Sequence, residues 1–170
     1  HLAVLEAKRE HLEQLIQSVK DTIRAEERKE FMQDEKKFEA LKKQTIAHNE
    51  EVYGQEIRSK YGDKEVDEVN AAVMNLTLEQ YREWTNLGQE IQDRLEAAVQ
   101  AALQPESQEG KEICTLHRRW LTITGNRYDP VKHRGIAELY VMDARFTAYY
   151  DKHLPGCARF LRDAVAYWAK

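Results

Sequence analysis

Residues 77–102 read TLEQYREWTNLGQEIQDRLEAAVQAA. This stretch predicts an amphipathic α-helix, because its apolar side chains recur every three or four residues along one face. Those side chains are Tyr81, Trp84, Leu87, Ile91, Leu95, Val99 and Ala102. Thr77 is followed three residues later by Gln80, and this pair is typical of the capping box that begins a helix. The sequence therefore predicts a helix that starts at Thr77, buries two large aromatic rings and ends at about Leu103.

Toward the C-terminus, proline, glycine and acidic residues divide the chain into further short helices. Residues 105–110 form a polar break, and the Asp-Pro pair at 129–130 supplies an N-cap and a first-turn proline. Asp143 is a second candidate cap, and the Pro-Gly pair at 155–156 precedes a last amphipathic helix. Residues 121–124 alternate apolar and polar side chains, but they are too short for a convincing strand. The prediction is an all-α chain.

Toward the N-terminus, residues 34–76 are highly charged, and their apolar side chains are loosely spaced at helical intervals. Gly62 directly after Tyr61 is typical of a helix end, and Asp63 can begin the next helix. The pattern predicts two short, weakly anchored helices joined by a hinge.

The first thirty residues carry a narrow apolar seam, interrupted once by Arg9. Its members alternate at spacings of three and four: Leu2, Leu5, Leu12, Ile16, Val19 and Ile23. Such a two-position seam is narrower than the apolar face of a globular helix and is typical of a coiled coil. It either pairs with a second copy or packs on the chain's own domain. We expect a homodimer, because the seam is so narrow.

Composition excludes several classes of protein. With 42% hydrophobic residues in a chain of 170, a globular core is expected. The net charge of −4 argues against an intrinsic nucleic-acid surface. We expect no membrane contact, because no apolar run approaches the roughly 20 residues of a membrane span. Two cysteines are too few for a disulfide framework, so we expect a cytoplasmic protein.

No catalytic or cofactor motif is present. The glycine spacing builds no phosphate loop, and no serine lies in a nucleophile elbow. Cys114 and His117 lie on one helix face and could form a metal or nucleophilic pair. A second ligand pair is missing, although His133, His153 and Cys157 could converge in space. We expect Cys114 and His117 to belong to the core, and we predict no enzyme activity, no cofactor and no metal.

An excess of aromatic residues on inward helix faces can be explained in two ways. Tyrosine and tryptophan either fill a core or line a cavity for flat, partly polar ligands. Composition favours the interpretation as a core but does not exclude a cavity.

Several motifs support the cavity. They are KYGD at 60–63, HRRW at 117–120, HRGIAELYV at 133–141, DARFTAYY at 143–150, and PG at 155–156 with FLRDA at 160–164. In order and spacing, Phe38 to Trp168 resembles the TipA-type (TipAS) antibiotic-recognition domain at the C-terminus of MerR-family transcription activators. Residues 2–28 resemble the long dimerisation helix that precedes that domain. The resemblance implies a ligand-sensing domain involved in multidrug resistance.

The same resemblance implies a globin-like helical fold without haem, preceded by a long coiled-coil helix. We accordingly expect a dimerisation helix at 1–30 and a ligand-binding domain at 31–170. Within that domain, residues 31–76 would be mobile lid helices and residues 77–170 the helical core. DNA contacts would belong to a winged-helix domain absent from this chain.

The expected effector is a small hydrophobic or aromatic antibiotic-like molecule, held in a cleft between the helix of Thr77 and the helix of Cys114. The candidate ligand-binding residues are Tyr81, Trp84, His117, Trp120, Tyr128, Tyr140, Phe146 and Tyr149. The candidate dimerisation residues are Leu5, Leu12, Ile16, Val19 and Ile23. Members that capture thiopeptides covalently carry a cysteine where this sequence has Tyr128, so reversible binding is implied. The alternative is a helical dimerisation or adaptor module without a small-molecule ligand.

Overall fold

The computed structural model describes residues 2–125 and 127–170, with their side chains except those at positions 2–5, 7, 8, 10, 11 and 31. This part of the chain forms α-helices and no strand, so the all-α prediction is confirmed. The helices are α1 (Leu2–Tyr61), α2 (Asp63–Asn75), α3 (Leu78–Gln100), α4 (Gln108–Thr124), α5 (Pro130–Met142), α6 (Ala144–Tyr150) and α7 (Cys157–Trp168). Across the same residues, no helix is long and apolar enough to cross a membrane.

The chain divides into two units, residues 1–54 and residues 55–170. In the first unit, the apolar seam is solvent-exposed: Leu12, Ile16, Val19 and Ile23 each leave between 53% and 58% of their surface accessible. The side chain of Leu5, also predicted in the seam, lies outside the described residues.

The prediction of two short helices between residues 34 and 76 was wrong in one respect. Helix α1 runs without interruption to Tyr61, and only α2 is a separate short helix. Residues 31–61 contain no proline and one glycine, and they are rich in Glu, Lys and Gln, which favour helix. The predicted helix end at Gly62 is confirmed, because Gly62 has a φ of 86° that favours glycine. The division into 1–30, 31–76 and 77–170 stays a prediction.

The second unit has a single apolar core built mainly from α3, α4, α5 and α7, with α6 packed against α5. Leu95, Ile113 and Leu161 are completely buried at its centre. Burying each of these side chains contributes on the order of 2 kcal/mol to the free energy of unfolding.

The helix starts follow local capping chemistry. Thr77 and Gln80 form both hydrogen bonds of a capping box, and Asp129 and Asp143 cap α5 and α6 through their carboxylates, as predicted. The predicted polar break at 105–110 is shorter in the structure, because Ser107 caps α4. These caps fix where the site-bearing helices begin.

Candidate ligand-binding site

A stack of aromatic rings connects α3 to α4. The edge of Tyr81 lies against Trp84, with ring centroids 6.0 Å apart. Trp84 stacks on Trp120 at 5.6 Å, and Trp120 stacks on His117 at 5.8 Å. Gly88 on α3 faces this ring, since a Cβ at residue 88 would lie in van der Waals contact with Nε1 of Trp120, at 3.4 Å.

His117 is completely buried, and both of its ring nitrogens are engaged. Its Nδ1 lies 2.8 Å from Nε2 of His133, and its Nε2 lies 3.1 Å from the hydroxyl of Tyr140. On the far side, Nδ1 of His133 lies 3.0 Å from the hydroxyl of Tyr128, which is partly exposed. A four-membered hydrogen-bonded chain thus runs from Tyr128 near the surface to Tyr140 in the core.

A second aromatic branch leaves Tyr140 toward α6. Tyr140 contacts Phe146 at 5.9 Å and Tyr150 at 4.6 Å between ring centroids. Tyr150 in turn contacts Tyr149, whose side chain is half exposed. The rings therefore continue from the core to the surface.

All eight residues that we predicted as ligand-binding lie in this one aromatic cluster. His133 and Tyr150 connect the other rings and also belong to the cluster, although sequence reasoning did not include them among the site residues. His133 and Tyr140 are seven residues apart on α5, a spacing that places both on one helix face and could have identified His133. Tyr150 had no such signal, because its place depends on how α6 packs against α5.

Burial sets the protonation of the cluster. Burial, together with the neighbouring His133, lowers the pKa of His117 to about 3. Burial also lowers the pKa of His133 to about 4, assisted by the positive charges of Arg118 and Arg134. Both imidazoles are therefore neutral near pH 7. Burial raises the pKa of Tyr140, which stays a neutral phenol.

Cys114 and His117 do not form a reactive pair. Both nitrogens of His117 are engaged with His133 and Tyr140, and burial raises the pKa of the Cys114 thiol to about 11. His153 is exposed and bonds to Glu96, so it does not join His133. Among residues 2–125 and 127–170, no group of three or more His, Cys, Asp or Glu residues could hold a metal ion.

The predicted cleft between α3 and α4 is filled at this point by the stacked indoles of Trp84 and Trp120. A shallow, open depression of about 700 Å³ lies elsewhere along α3 and the start of α4, and contains none of the eight residues. It is lined by Asn86, Gln89, Glu90, Asp93, Arg94, Ala97, Ala98, Ala101, Leu103 and Glu109.

Two polar atoms associated with the aromatic rings are buried without a hydrogen-bond partner in the described part of the protein. They are the hydroxyl of Tyr61 and Nε1 of Trp84. The hydroxyl of Tyr61 acts electrostatically on Tyr140, which places the end of α1 next to the cluster. Sequence reasoning did not single out Tyr61 as a site residue.

Comparison with known proteins gives consistent results. The family model of the TipAS antibiotic-recognition domain matches residues 53–168, more than half of the chain. The transcriptional activator Mta of Bacillus subtilis is 25% identical over 95% of this chain and 62% of its own length. The transcriptional activators TipA of Streptomyces coelicolor and Streptomyces lividans are each 28% identical over 66% of this chain and 45% of their own. The chain thus spans less than two thirds of these relatives.

A solved structure also has this fold. It is TipAS from the thiopeptide antibiotic multidrug resistance system of Streptomyces lividans, in complex with nosiheptide. The TM-score is 0.60 and the sequence identity 24%, with coverage of 71% of this chain and 85% of that one. By the match of the family model and the arrangement of its helices, the chain belongs to the TipAS antibiotic-recognition domain family.

Proposed function

We propose that this chain is the ligand-sensing and dimerisation domain of a MerR-family transcription activator, and that it binds a hydrophobic or aromatic antibiotic-like effector reversibly. The activators Mta and TipA and the nosiheptide complex of TipAS support this assignment. The observation that carries it is the aromatic cluster, which reaches from buried His117 to half-exposed Tyr149.

The cluster has the chemistry of a ligand site. Tyrosine and tryptophan present large areas with few rotatable bonds, and their polar tips can fix the orientation of a flat ligand. The unpartnered donors of Tyr61 and Trp84 add to this, since each buried polar group without a hydrogen bond costs about 1–3 kcal/mol. Acceptor atoms on a ligand would remove that cost. The surfaces of Tyr128 and Tyr149 offer the points of entry.

We infer binding without catalysis. The two histidines of the cluster are neutral and hydrogen-bonded on both sides, so neither ring has a free nitrogen to act as a base. Burial raises the pKa of both Cys114 and Cys157 to about 11, so both thiols stay protonated near pH 7. Free, protonated thiols agree with a protein of the reducing cytoplasm.

Reversible binding is tested by mass spectrometry. After incubation with nosiheptide and denaturation, we expect the protein at its unmodified mass, because both thiols are buried and protonated. A mass increase equal to nosiheptide that survives denaturation would show covalent capture instead.

The main test is a titration with nosiheptide, followed by tryptophan fluorescence and melting temperature. Saturable quenching of Trp84 and Trp120 with a rise in melting temperature is expected, because a ligand of the native state stabilises it. Tyr149→Ala should weaken binding about ten-fold, as for loss of one aromatic contact worth about 1.4 kcal/mol. Tyr167→Ala is the matched control: Tyr167 is 51% exposed, against 50% for Tyr149, but lies on α7 beside Trp168. Equal weakening by both substitutions would argue against a site at Tyr149.

The alternative function is a dimerisation or adaptor module whose core is full, and the direct stacking of Trp84 on Trp120 favours it. Hydrogen exchange separates the two functions. A sensor with a mobile lid predicts low protection of the amides of residues 31–76 without nosiheptide and marked protection with it. An adaptor predicts the same protection in both samples.

A further inference from the structure

The shallow depression on the outer face of α3 lies apart from the aromatic cluster, and we call it the α3 groove. Its members on α3 recur at spacings of three and four, along one face of the helix: Asn86, Glu90, Asp93, Ala97 and Ala101. The other side of the helix carries the buried side chains Trp84, Leu87, Ile91 and Leu95. From Asn86 to Ala101 the groove extends over about 22 Å, or four helical turns.

The C-terminal end of the α3 groove is apolar. It is formed by Ala97, Ala98, Ala101 and Leu103. Leu103 leaves 41% of its surface accessible, and Ala97 and Ala101 are exposed one helical turn apart. Small side chains on a helix allow the axis of a second helix to approach to about 8 Å. This end of the groove can therefore receive the larger apolar side chains of a helix.

The N-terminal end of the α3 groove is acidic. Glu90 and Asp93 are exposed, and neither carboxylate has an ion pair in the described part of the chain. Asp93 accepts a hydrogen bond from Nε2 of Gln89, at 2.7 Å. Arg94 also lines the groove, but it pairs with Glu109 at the start of α4, 3.4 Å away. The charge of the groove is therefore negative, and two of its carboxylates can accept a cation from outside.

The groove lies in the acidic part of the sequence. Residues 77–113 contain eight acidic and three basic side chains, whereas the rest of the chain contains 22 acidic and 23 basic ones. The net charge of −4 thus comes from the segment that forms α3 and the start of α4. Such a concentration of charge attracts a positively charged partner, over about 8 Å at physiological ionic strength.

We propose that the α3 groove binds a basic amphipathic helix of another protein. A helix laid along α3 places its apolar residues on the alanines and Leu103, and its lysines or arginines beside Glu90 and Asp93. A small molecule fits less well, because small-molecule pockets bury roughly 70–90% of a ligand's surface and this groove is open. A second copy of this chain also fits less well, since each copy brings a net charge of −4. This docking surface goes beyond the proposed antibiotic binding.

A peptide-binding experiment on the full chain tests the docking surface. The probe is a fluorescein-labelled helical peptide of about 14 leucine and lysine residues, with its leucines along one face. A saturable rise in fluorescence polarisation is expected, and the affinity should fall as salt is added. The same peptide with glutamate in place of lysine should bind about ten-fold more weakly, because its charges repel Glu90 and Asp93.

Substitutions at the acidic end test the charge contact. Glu90→Gln with Asp93→Asn should weaken binding of the lysine peptide about five-fold, as for loss of two exposed ion pairs. Glu27→Gln with Glu30→Gln is the matched control in α1, because both residues are exposed and have the same spacing along the helix. This control removes the same two charges and should leave the affinity unchanged.

Ala97→Arg tests the apolar end. The new side chain occupies the groove and brings a positive charge against the lysines of the peptide, so binding should weaken about ten-fold. Ala71→Arg makes the same change at an exposed position of α2 and should leave the affinity as in the parent. Both alanines are exposed, so neither substitution disturbs the core.

Several results would overturn the proposal. Binding that the Glu90 and Asp93 pair of substitutions and Ala97→Arg leave unchanged would place the peptide elsewhere, and so would equal weakening by Ala97→Arg and Ala71→Arg. Displacement of the labelled peptide by phenethylammonium as readily as by unlabelled peptide would indicate a site for a small cation. Self-association of the parent that Ala97→Arg abolishes would place a second copy in the groove. Failure to bind nosiheptide would affect only the proposed function.

Discussion

Two imidazoles in direct hydrogen-bond contact lie within the second unit of this protein. His117 and His133 can share one proton between Nδ1 and Nε2 only while at least one ring is neutral, since two charged rings would present a donor to each other. Tyr128 and Tyr140 complete the pairing at the two ends. A buried polar chain of this kind stabilises the fold only while all its members are paired.

A pH dependence follows from the lowered pKa values. In the unfolded chain both histidines bind a proton near pH 6.5. In the folded protein, His133 does so at about 4 and His117 at about 3. Between these limits the unfolded state holds more protons, so the free energy of unfolding falls as the pH is lowered from about 6.5 toward 4. Each histidine contributes at most about 1.4 kcal/mol per pH unit.

Urea denaturation at pH 7, 6 and 5 measures this effect. The double substitution His117→Gln, His133→Gln should lower the stability at pH 7 and flatten its decline with acid. A parent protein whose stability is constant between pH 7 and pH 5 would contradict neutral burial of both rings.

At the scale of the helix, the sequence predicted most boundaries in the second unit because they depend on local chemistry. The capping box at Thr77, the carboxylate caps at Asp129 and Asp143 and the glycine at 62 all act within one helical turn. The continuity of α1 was missed, because residues 24–37 carry few apolar side chains and give no periodic signal. The partners of the aromatic cluster were only partly predictable, since they come from four different helices and from the loop before α5.

The start of α4 gives a test of close packing. Gly110 is buried, and a Cβ there would lie 1.9 Å from the carbonyl oxygen of Pro105. That carbonyl is also held by a hydrogen bond from Nε1 of Trp168, 3.1 Å away. Gly110→Ala should therefore lower the free energy of unfolding by about 1–3 kcal/mol, measured by urea denaturation.

Gly135→Ala is the matched substitution in α5. A Cβ at Gly135 meets no atom within 4 Å, and alanine favours helix over glycine by up to about 1 kcal/mol. The Gly135→Ala variant should thus be at least as stable as the parent. Equal stability of the Gly110 and Gly135 variants would show that the segment before α4 moves freely.

At the scale of the whole molecule, the two units carry different surfaces. The second unit holds the aromatic cluster, and the first unit presents an exposed apolar seam. A sensor needs both a ligand site and a contact with its partner. The ligand shifts the conformation of the assembly only if it binds one of two conformations more tightly than the other. Dimerisation through the seam is therefore part of the proposed function and stays a prediction.

The seam can be tested by changing its polarity at two positions. Leu12 and Val19 are 57% and 58% exposed, and pairing of two copies would bury them on every second turn. Leu12→Glu with Val19→Glu places charges in that contact, so sedimentation velocity should show a monomer where the parent is a dimer, with helicity retained. Gln14→Glu with Ser18→Glu adds the same charge outside the seam and should leave the dimer intact. A parent that sediments as a monomer, or a dimer that survives the first pair of substitutions, would place the contact elsewhere.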